Sequence, residues 1–561
     1  MKKSFKLSTF LMVLFLLIFF SFTLGDEKTD KVNKLFAKWD KADSPGCALA
    51  VIKDGKIIYK KGYGMANLEH NIPITSKSVF YIGSVSKQFV SMSIALLAKE
   101  GKLSLDDDIR KYLPEMPDYG TPITIRHLIH HTSGLRDYLT LLGIAGIDFG
   151  TYHEDEAVEL IARQKELNFK PGEEYLYSNS GYLTLAVIVE RASGKSLRNY
   201  ADENIFTPLG MTSSHFHDDY TMLIKNRATG YFPGGKGKYK NFISTFDCVG
   251  SGGLFTNVED LFQWDQNFIH KKVGGQDVFD LIHTKGKLNN GKELDYAFAL
   301  TIGTYKGLKT VGHGGALGGY RSSFLRFPEQ NFSIICLSNL SSFNPSRLSR
   351  QVADIYLADQ FKEGTKPKAK PPEEGKFIEL SEEKLKEKVG GYIQPKTGDI
   401  MRLFIREDKL CARMFGRVFS LAAVSETEFQ LLKAPVDIIL KFEKQAKGKP
   451  LLVYLYQEEE EPKTYESFKL PKPTLDQLKK YIGDYYSEEL QVTFNLRLKK
   501  DKLNFVQRNA PRNPLVMVLE DRFNISGMKI HFVRDEENKI IAFTLDAGRV
   551  KNLRFDKKQT D

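Results

Sequence analysis

The sequence predicts a mixed domain of the α/β (α+β) class, followed by two small all-β modules of the barrel type. Strand-like runs stand near both ends of the first 360 or so residues, and helical runs lie between them. A charged, proline-containing stretch follows, and beyond it one segment of the chain repeats itself. The length of 561 residues leaves room for about three or four domains.

Residues 1–25 have the pattern of an export signal. Three lysines stand among the first six residues, an uncharged apolar run covers residues 7–24, and acidic sequence begins at Asp26. We expect this segment to be removed and the protein to be exported to the periplasm or the extracellular space. The alternative is an uncleaved membrane anchor, because about 18 apolar residues just span a bilayer.

The net charge of +11 does not indicate a nucleic-acid-binding protein. The 81 basic and 70 acidic residues are interleaved, as on ordinary solvated surfaces, and no basic stripe carries aromatic residues between its charges. A basic surface still allows contact with an anionic envelope polymer. The sequence does not determine the oligomeric state.

The four cysteines do not have the spacing of metal ligands, and they are few for an exported chain of this size. Cys47 and Cys336 lie in apolar, strand-like runs, so we expect buried free thiols there. No metal ion or other cofactor is predicted.

The first domain is expected to span residues 30–361. Near its start, the runs 47–52 and 57–59 flank an Asp-Gly turn and predict two strands. Near its end, the runs 321–327 and 332–337 predict two more strands. We expect strands from both ends of the domain to form one sheet.

Two helices are predicted between these strands. The first is amphipathic, runs from Gln88 to Glu100 and ends at Gly101. The second runs from Leu183 to Arg191 and is again followed by a glycine, Gly194.

Residues 362–376 hold three prolines, two glycines and many charges, which is typical of a linker. Two modules follow, over residues 377–470 and 474–558. The run 385–392 resembles the run 478–485 at an offset of 93 residues. The same offset relates Asp408-Lys409-Leu410 to Asp501-Lys502-Leu503, and two phenylalanine pairs also match with small gaps: Phe429 with Phe523, and Phe442 with Phe532.

The first candidate motif for chemistry is Ser84-Val85-Ser86-Lys87. Ser84 and Lys87 are three residues apart at the start of a predicted helix, so they share one face and the amine can contact the hydroxyl. The helix N-terminus favours an oxyanion and disfavours an ammonium, which helps Lys87 act as a base. Ser381-Glu382-Glu383-Lys384 has the same spacing, but we expect it to be exposed and without function.

The second candidate motif is Tyr177-Ser178-Asn179. Pro171-Gly172 and the residues after it place Tyr177 just before the second helix, where its phenol could relay a proton. Tyr239-Lys240-Asn241 has the same pattern but stands among glycines, in what we expect to be a flexible basic loop. We therefore favour Tyr177, for which simple packing is the alternative role.

The third candidate motif is His313-Gly314-Gly315-Ala316. Its glycines would let a substrate approach the backbone of a strand closely. His313 could bind a carboxylate or adjust a proton network, and a structural role is the alternative.

In this order, the three motifs resemble the serine β-lactamase and penicillin-binding-protein superfamily, on the class C side. The Tyr-x-Asn and His-x-Gly motifs are similar to those of class C-like esterases, DD-peptidases and D-aminopeptidases. The resemblance covers about residues 30–360, including the runs 130–135 and 252–254, and implies an antiparallel sheet flanked by helices. The two trailing modules are similar in layout to those of D-aminopeptidases in this superfamily.

The resemblance also implies roles for individual residues. Ser84 would be the acylated nucleophile, with Lys87 and Tyr177 as its base system. The remaining members of the site would bind the substrate and the oxyanion: Asn179 would bind the substrate amide, the backbone N–H groups of Ser84 and Ala316, beside Gly315, would form the oxyanion hole, and His313 stands where the usual motif has a lysine.

The sequence therefore predicts an exported serine hydrolase that acts through an acyl-enzyme on small-molecule or peptide substrates. Peptides or amides with D-residues, or small esters, are the expected substrates, because His313 argues against efficient β-lactam hydrolysis. A β-lactamase is one alternative, and a non-catalytic binding protein on the same scaffold is another. The two β modules could bind an envelope polymer or serve as a spacer or lid.

Overall fold

The computed structural model describes residues 27–559, and the expected export signal and linker lie outside the described residues. Within that range it leaves out residues 148–149, 151, 236, 362–376, 396, 415–416, 433, 435–437, 447–448, 458–460, 508–509 and 526. The chain forms two compact units. Of the described residues, the first unit holds those up to Leu135 and those within Phe149–Ala162 and Phe169–Lys362. The second holds those within Arg136–Asp148 and Arg163–Asn168 and those after Glu363.

A six-stranded antiparallel sheet forms the centre of the first unit. Cys47–Lys53 pairs with Phe332–Ser338, so strands from the two ends of the domain lie side by side, as the sequence predicts. The antiparallel sheet with its flanking helices confirms the predicted fold class. In spatial order the strands are Thr301–Tyr305, Leu308–Leu317, Tyr320–Phe327, Phe332–Ser338, Cys47–Lys53 and Lys56–Tyr63.

One face of this sheet is covered by a helix over residues 27–36 and by the helix Pro345–Tyr356. Leu49 and Cys336 are paired on adjacent strands and pack in the same core as Val352. Cys47 belongs to this core too, and all four cysteines are free and buried, which confirms the prediction of buried thiols.

The first predicted helix is found at Lys87–Lys99, one residue ahead of the predicted range. The second runs over Asn179–Ser193 and begins four residues earlier than predicted, so Asn179 is its first residue. Gly194 ends it in the left-handed conformation, with a φ of 72°. The other α-helices of the first unit are Ile125–Ile129, Glu154–Ala162, Leu197–Ala201, Thr207–Leu209, Val258–His270 and Gly275–Ile282.

Short strands complete the first unit. Phe80–Tyr81 and His215–Phe216 both pair with Leu254–Thr256, which brings the segment before Ser84 beside residues 252–254. Gly230–Gly235 and Lys238–Phe242 form a hairpin, so Tyr239 lies in a strand and the expectation of a flexible loop there is wrong. Met65–Asn67 pairs with Ile72–Pro73.

The first β module closes into an eight-stranded antiparallel barrel. Closure leaves no free sheet edge, and the inward-facing residues of all eight strands form a single core. Its strands are Gly390–Ile393, Ile400–Arg406, Lys409–Met414, Arg417–Ala423, Glu428–Leu431, Ile438–Glu443, Leu452–Gln457 and Lys463–Phe468.

The second β module is a nine-stranded antiparallel sheet. Its two edge strands are consecutive in the chain and separated by Leu515 alone, so the sheet curls round until its edges meet there. In spatial order its strands are Ala510–Pro514, Lys502–Gln507, Val492–Lys499, Gly483–Ser487, Val550–Lys557, Ile540–Ala547, Met528–Arg534, Arg522–Ile525 and Val516–Leu519.

The internal repeat predicts equivalent local structure in the two modules, and the structure confirms it. The tyrosine that ends each repeated run donates a hydrogen bond to the carbonyl four residues earlier: Tyr392 to Lys388 at 2.8 Å, and Tyr485 to Tyr481 at 3.1 Å. The matched phenylalanines also pack edge to face in both modules, with centroids 5.4 Å apart for Phe429 and Phe442 and 5.5 Å apart for Phe523 and Phe532.

Arg136 anchors its short segment inside the second unit. Its side chain is fully buried, and Nη1 donates to Glu489 Oε1 at 2.6 Å. Its other nitrogens donate to the carbonyls of Lys551 and Asn552. None of the helices in the described part of the chain is long and apolar enough to cross a membrane.

Candidate active site

Ser84 lies in a single 3₁₀ turn, Gly83–Ser86, that leads directly into the helix Lys87–Lys99. The flanking residues Gly83, Val85 and Ser86 are buried, whereas Ser84 is half-buried. The turn therefore presents the Ser84 hydroxyl at the N-terminus of a helix, where backbone N–H groups favour negative charge.

The Lys87 side chain is fully buried and lies against Ser84. Its Nζ is 3.1 Å from Ser84 Oγ and 2.9 Å from Asn179 Oδ1, and it also donates to the carbonyl of Ser251. In its neutral form the amine can donate to these two carbonyl-type acceptors and present its lone pair to the serine hydroxyl. This geometry suits a base that accepts the Ser84 proton.

Tyr177 and Asn179 bring the second motif to the same place. The ring of Tyr177 lies 5.0 Å from Lys87 Nζ and 6.2 Å from the ring of His313, measured to centroids. Asn179 is buried at the first position of its helix, and its Oδ1 accepts from Lys87. Its role as a ligand for the substrate amide stays a prediction.

The turn that carries Ser84 packs directly against the strand Leu308–Leu317. A Cβ added to Gly83, whose φ is +55°, would lie 2.6 Å from the backbone nitrogen of Ala316. A Cβ added to Gly315 would lie 2.0 Å from the carbonyl oxygen of Ile82. Both positions need glycine, because only two bare backbones can approach this closely.

The same strand has an open side from His313 onward. Its ladder with Thr301–Tyr305 ends at the pair Thr301 and Gly312, whereas Tyr320–Phe327 continues to pair with it as far as Leu317. The backbone at Gly315 and Ala316 is therefore laddered on one side and faces the Ser84 turn on the other. This placement suits the predicted oxyanion hole at Ser84 and Ala316.

His313 has both ring nitrogens in hydrogen bonds. Nδ1 lies 2.6 Å from the carbonyl oxygen of Gly314, and Nε2 lies 3.0 Å from the hydroxyl of Tyr296. Burial, with a smaller contribution from the nearby Lys87, lowers the pKa of His313 to about 4. The ring is therefore neutral at neutral pH, and it does not supply the constant positive charge that a lysine would bring.

Three residues of this cluster have no predicted role in the sequence motifs. The Ser251 carbonyl accepts from Lys87, the Tyr296 hydroxyl contacts His313, and the buried His131 lies 3.2 Å from Tyr296 through Nε2. His131 lies within the run 130–135, and Ser251 directly precedes the run 252–254. Tyr296 stands in an irregular segment without a motif around it.

The two motifs that share these spacings but were expected to have no function have structural roles. Ser381 is the N-cap of the short helix Glu382–Lys386, and its hydroxyl accepts from the backbone of Lys384. Exposed residues at a helix cap explain the serine–lysine spacing there. Tyr239 contributes to a hairpin and packs against Tyr231.

Comparison with known proteins identifies a family whose model matches this chain. A family model described as Beta-lactamase matches residues 32–358. The chain is also similar to penicillin-binding protein 4* of Bacillus subtilis (strain 168), with 30% identity over 314 residues, which cover 52% of this chain and 68% of the relative.

Two further matches have related descriptions. A D-aminopeptidase of Gluconobacter oxydans (strain 621H) is 28% identical over 296 residues, covering 53% of this chain and 56% of the relative. The structure of the octameric penicillin-binding protein homologue from Pyrococcus abyssi has a TM-score of 0.55 and 26% identity, covering 78% of this chain and 99% of that one. The chain thus spans between about half and about two thirds of the two curated relatives.

Proposed function

Because the chain belongs to the Beta-lactamase family, we propose that it is a serine hydrolase that acts through an acyl-enzyme on Ser84. Its substrates are peptides or amides with D-residues, or small esters, in preference to β-lactams. The contact between Lys87 Nζ and Ser84 Oγ supports catalysis over a purely binding role, since it joins a nucleophile to a base at the N-terminus of a helix.

The neutral His313 is the observation that carries this choice of substrate. A β-lactam drug of the usual kind presents a carboxylate, and a lysine at the third motif would meet it with a full charge. His313 is neutral at pH 7, and its two nitrogens are occupied by Gly314 and Tyr296. Neutral esters and amides, or substrates that carry an amine, do not need that charge.

In the proposed reaction, Ser84 Oγ attacks the substrate carbonyl and Lys87 accepts the hydroxyl proton. The backbone N–H groups of Ser84 and Ala316 stabilise the oxyanion, and Tyr177 passes the proton on to the leaving group. Water then hydrolyses the ester formed on Ser84. Because His313 is neutral, it does not repel the ammonium that forms on Lys87.

The similarity to a D-aminopeptidase over 53% of this chain supports this proposal. The decisive test compares kcat/KM for nitrocefin, p-nitrophenyl butyrate and D-alanyl-p-nitroanilide on the full-length protein. We expect the ester or the D-alanyl anilide to exceed nitrocefin. Faster turnover of nitrocefin than of both would reject the substrate choice and favour a β-lactamase.

We also propose that residues 1–25 direct export and are then removed, because a positive start precedes an uncharged apolar run. N-terminal sequencing of the protein from its native host tests this proposal. A mature protein that still begins at Met1 and sediments with membranes would favour an anchor.

A further inference from the structure

A chain of hydrogen bonds connects the second motif to the third. The backbone N–H of Ser178 donates to His131 Nδ1 at 3.2 Å, and His131 Nε2 lies 3.2 Å from the Tyr296 hydroxyl. That hydroxyl lies 3.0 Å from His313 Nε2, and His313 Nδ1 lies 2.6 Å from the carbonyl oxygen of Gly314. His131 and Tyr296 are buried.

The two ends of this chain determine the role of Nδ1 in each histidine ring. A backbone N–H only donates, so His131 Nδ1 is unprotonated and its proton is on Nε2. A carbonyl oxygen only accepts, so His313 carries its proton on Nδ1. Tyr296 then accepts from His131, and the neutral His313 offers its unprotonated Nε2 to the Tyr296 hydroxyl. The Tyr182 hydroxyl is a second hydrogen-bond partner of Tyr296.

From this arrangement, we propose that His131 and Tyr296 are positioning residues that hold His313 in its neutral Nδ1–H tautomer. This makes the site discriminate against substrates whose carboxylate would lie at the third motif. A proton added to His313 Nε2 would point at the Tyr296 oxygen, which already accepts from His131, and the hydrogen bond from Tyr296 to the neutral ring would be lost. The effect on substrates rests on the proposed function, whereas the positioning role does not.

The titratable groups around His313 come from several elements. Lys87 lies on the helix behind Ser84, Tyr177 precedes the helix Asn179–Ser193, and Tyr296 bridges to His131. Tyr175 and Tyr182 interact in turn with Tyr296. An ammonium on Lys87 opposes a charge on His313, whereas the Gly314 carbonyl favours one. A hydrogen bond donated by the Tyr296 hydroxyl to Nε2 favours the neutral ring.

Tyr296→Phe is the direct test, because it keeps the ring and removes only the hydroxyl. Histidine labelled with ¹³C and ¹⁵N, with the His313 signals identified by their loss in His313→Asn, reports the tautomer and the titration by NMR. We expect the wild type to show the Nδ1–H tautomer, and Tyr296→Phe to raise the titration midpoint of His313 by about one pH unit or more, because a bond to the neutral form is lost. Tyr305→Phe removes a hydroxyl bonded to Asp354 in the same unit and should leave the midpoint unchanged.

His131 is tested by two substitutions that each keep one of its bonds. His131→Gln keeps an N–H group near the position of Nε2, whereas His131→Asn keeps an acceptor near Nδ1 and tolerates the positive φ of 57°. We expect His131→Asn to change the tautomer population or midpoint of His313, and His131→Gln to restore the wild-type behaviour in part. Equal behaviour of both variants and the wild type would overturn the role of His131.

The consequence for substrates is measured with D-Ala-Gly and D-Ala-Gly-NH₂, which differ only in the terminal carboxylate. At pH 5.5, the ratio of their kcat/KM values should rise about tenfold in favour of the free acid in Tyr296→Phe, as one pKa unit predicts for the charged fraction of His313. An unchanged ratio would overturn the discrimination. An Nε2–H tautomer in the wild type, or an unmoved midpoint in Tyr296→Phe, would overturn the positioning role itself. Since NMR needs no turnover, these results are distinct from a failure of the proposed function.

Discussion

Gly83 and Ala316 approach so closely that a methyl group on Gly83 would lie 2.6 Å from the backbone nitrogen of Ala316. Gly83 is covalently joined to Ser84, and its φ of +55° suits glycine. The contact therefore sets the spacing between the nucleophile and the strand that carries the third motif.

We expect Gly83→Ala to lower kcat by about a hundredfold or more, the size of effect seen when an oxyanion donor is lost. The added methyl group must push Ala316 away from Ser84. Steady-state kinetics with a p-nitrophenyl ester measure the loss. Gly120→Ala is the matched control, because Gly120 also has a positive φ but no neighbour within 4 Å of the added Cβ. Similar kinetics for Gly83→Ala and the control would count against the oxyanion hole.

The first unit should lose stability as the pH falls from about 6.5 to 4. Burial lowers the pKa values of His130, His217 and His313 to about 4, so the unfolded chain binds protons in this range before the folded chain does. Stability is therefore fully present above pH 6.5, and each histidine can remove up to about 3 kcal/mol on acidification.

The only two tryptophans, Trp39 and Trp264, belong to the first unit, so their fluorescence follows its unfolding. Urea denaturation at pH 7 and pH 5 should show lower stability at pH 5. His217→Gln should make this dependence shallower, and His70→Gln, at an exposed position, should not. If stability fell equally steeply with pH in the two variants, the pH dependence would not come from the buried histidines.

Arg136→Met should destabilise the second unit by about 3–5 kcal/mol, because it leaves Glu489 buried without its cation. Both tryptophans belong to the first unit, so unfolding of the second unit does not change their fluorescence. Calorimetry should therefore show the loss of stability in a transition that tryptophan fluorescence does not detect. Arg406→Met is the control: Arg406 and Glu407 lie 3.5 Å apart and are 67% and 82% exposed, so about 1 kcal/mol or less is expected. A shift no larger than that of the control would contradict a structural role for the Arg136 pair.

The hydrogen bonds of Arg136 complicate experiments in which the two β modules are removed. A chain cut at residue 365 would lose Glu489 and the carbonyls of Lys551 and Asn552, all of which Arg136 binds. Any change in substrate range would then combine loss of the modules with exposure of a buried guanidinium. Substitutions in the full-length chain avoid that problem.

Much of the fold was predictable because it follows local patterns. The strand pairs at both ends, the helix behind Ser84 and the repeated modules each have a clear periodicity or repeat. The start of the helix at Asn179 was missed because its first turn is polar apart from Tyr182, so the apolar pattern begins only at Leu183.

The residues of the candidate site were likewise predictable only in part. The structure brings Ser84, Lys87 and Asn179 together, and the motifs indicated these residues. Tyr296 was missed because a tyrosine in an irregular segment leaves no spacing to recognise. Two partners of Arg136, Glu489 and Asn552, lie more than 300 residues further along the chain, and only the folded structure brings them together.

The central claim is that Ser84 carries the acyl group, and mass spectrometry tests it most directly. The protein is treated with an activated ester, quenched and digested, and the acylated peptide is identified. We expect one acyl group on Ser84, none at that position in Ser84→Ala, and a loss of turnover in Ser84→Ala of at least about a thousandfold. An acyl group on another residue, or undiminished turnover in Ser84→Ala, would contradict the account.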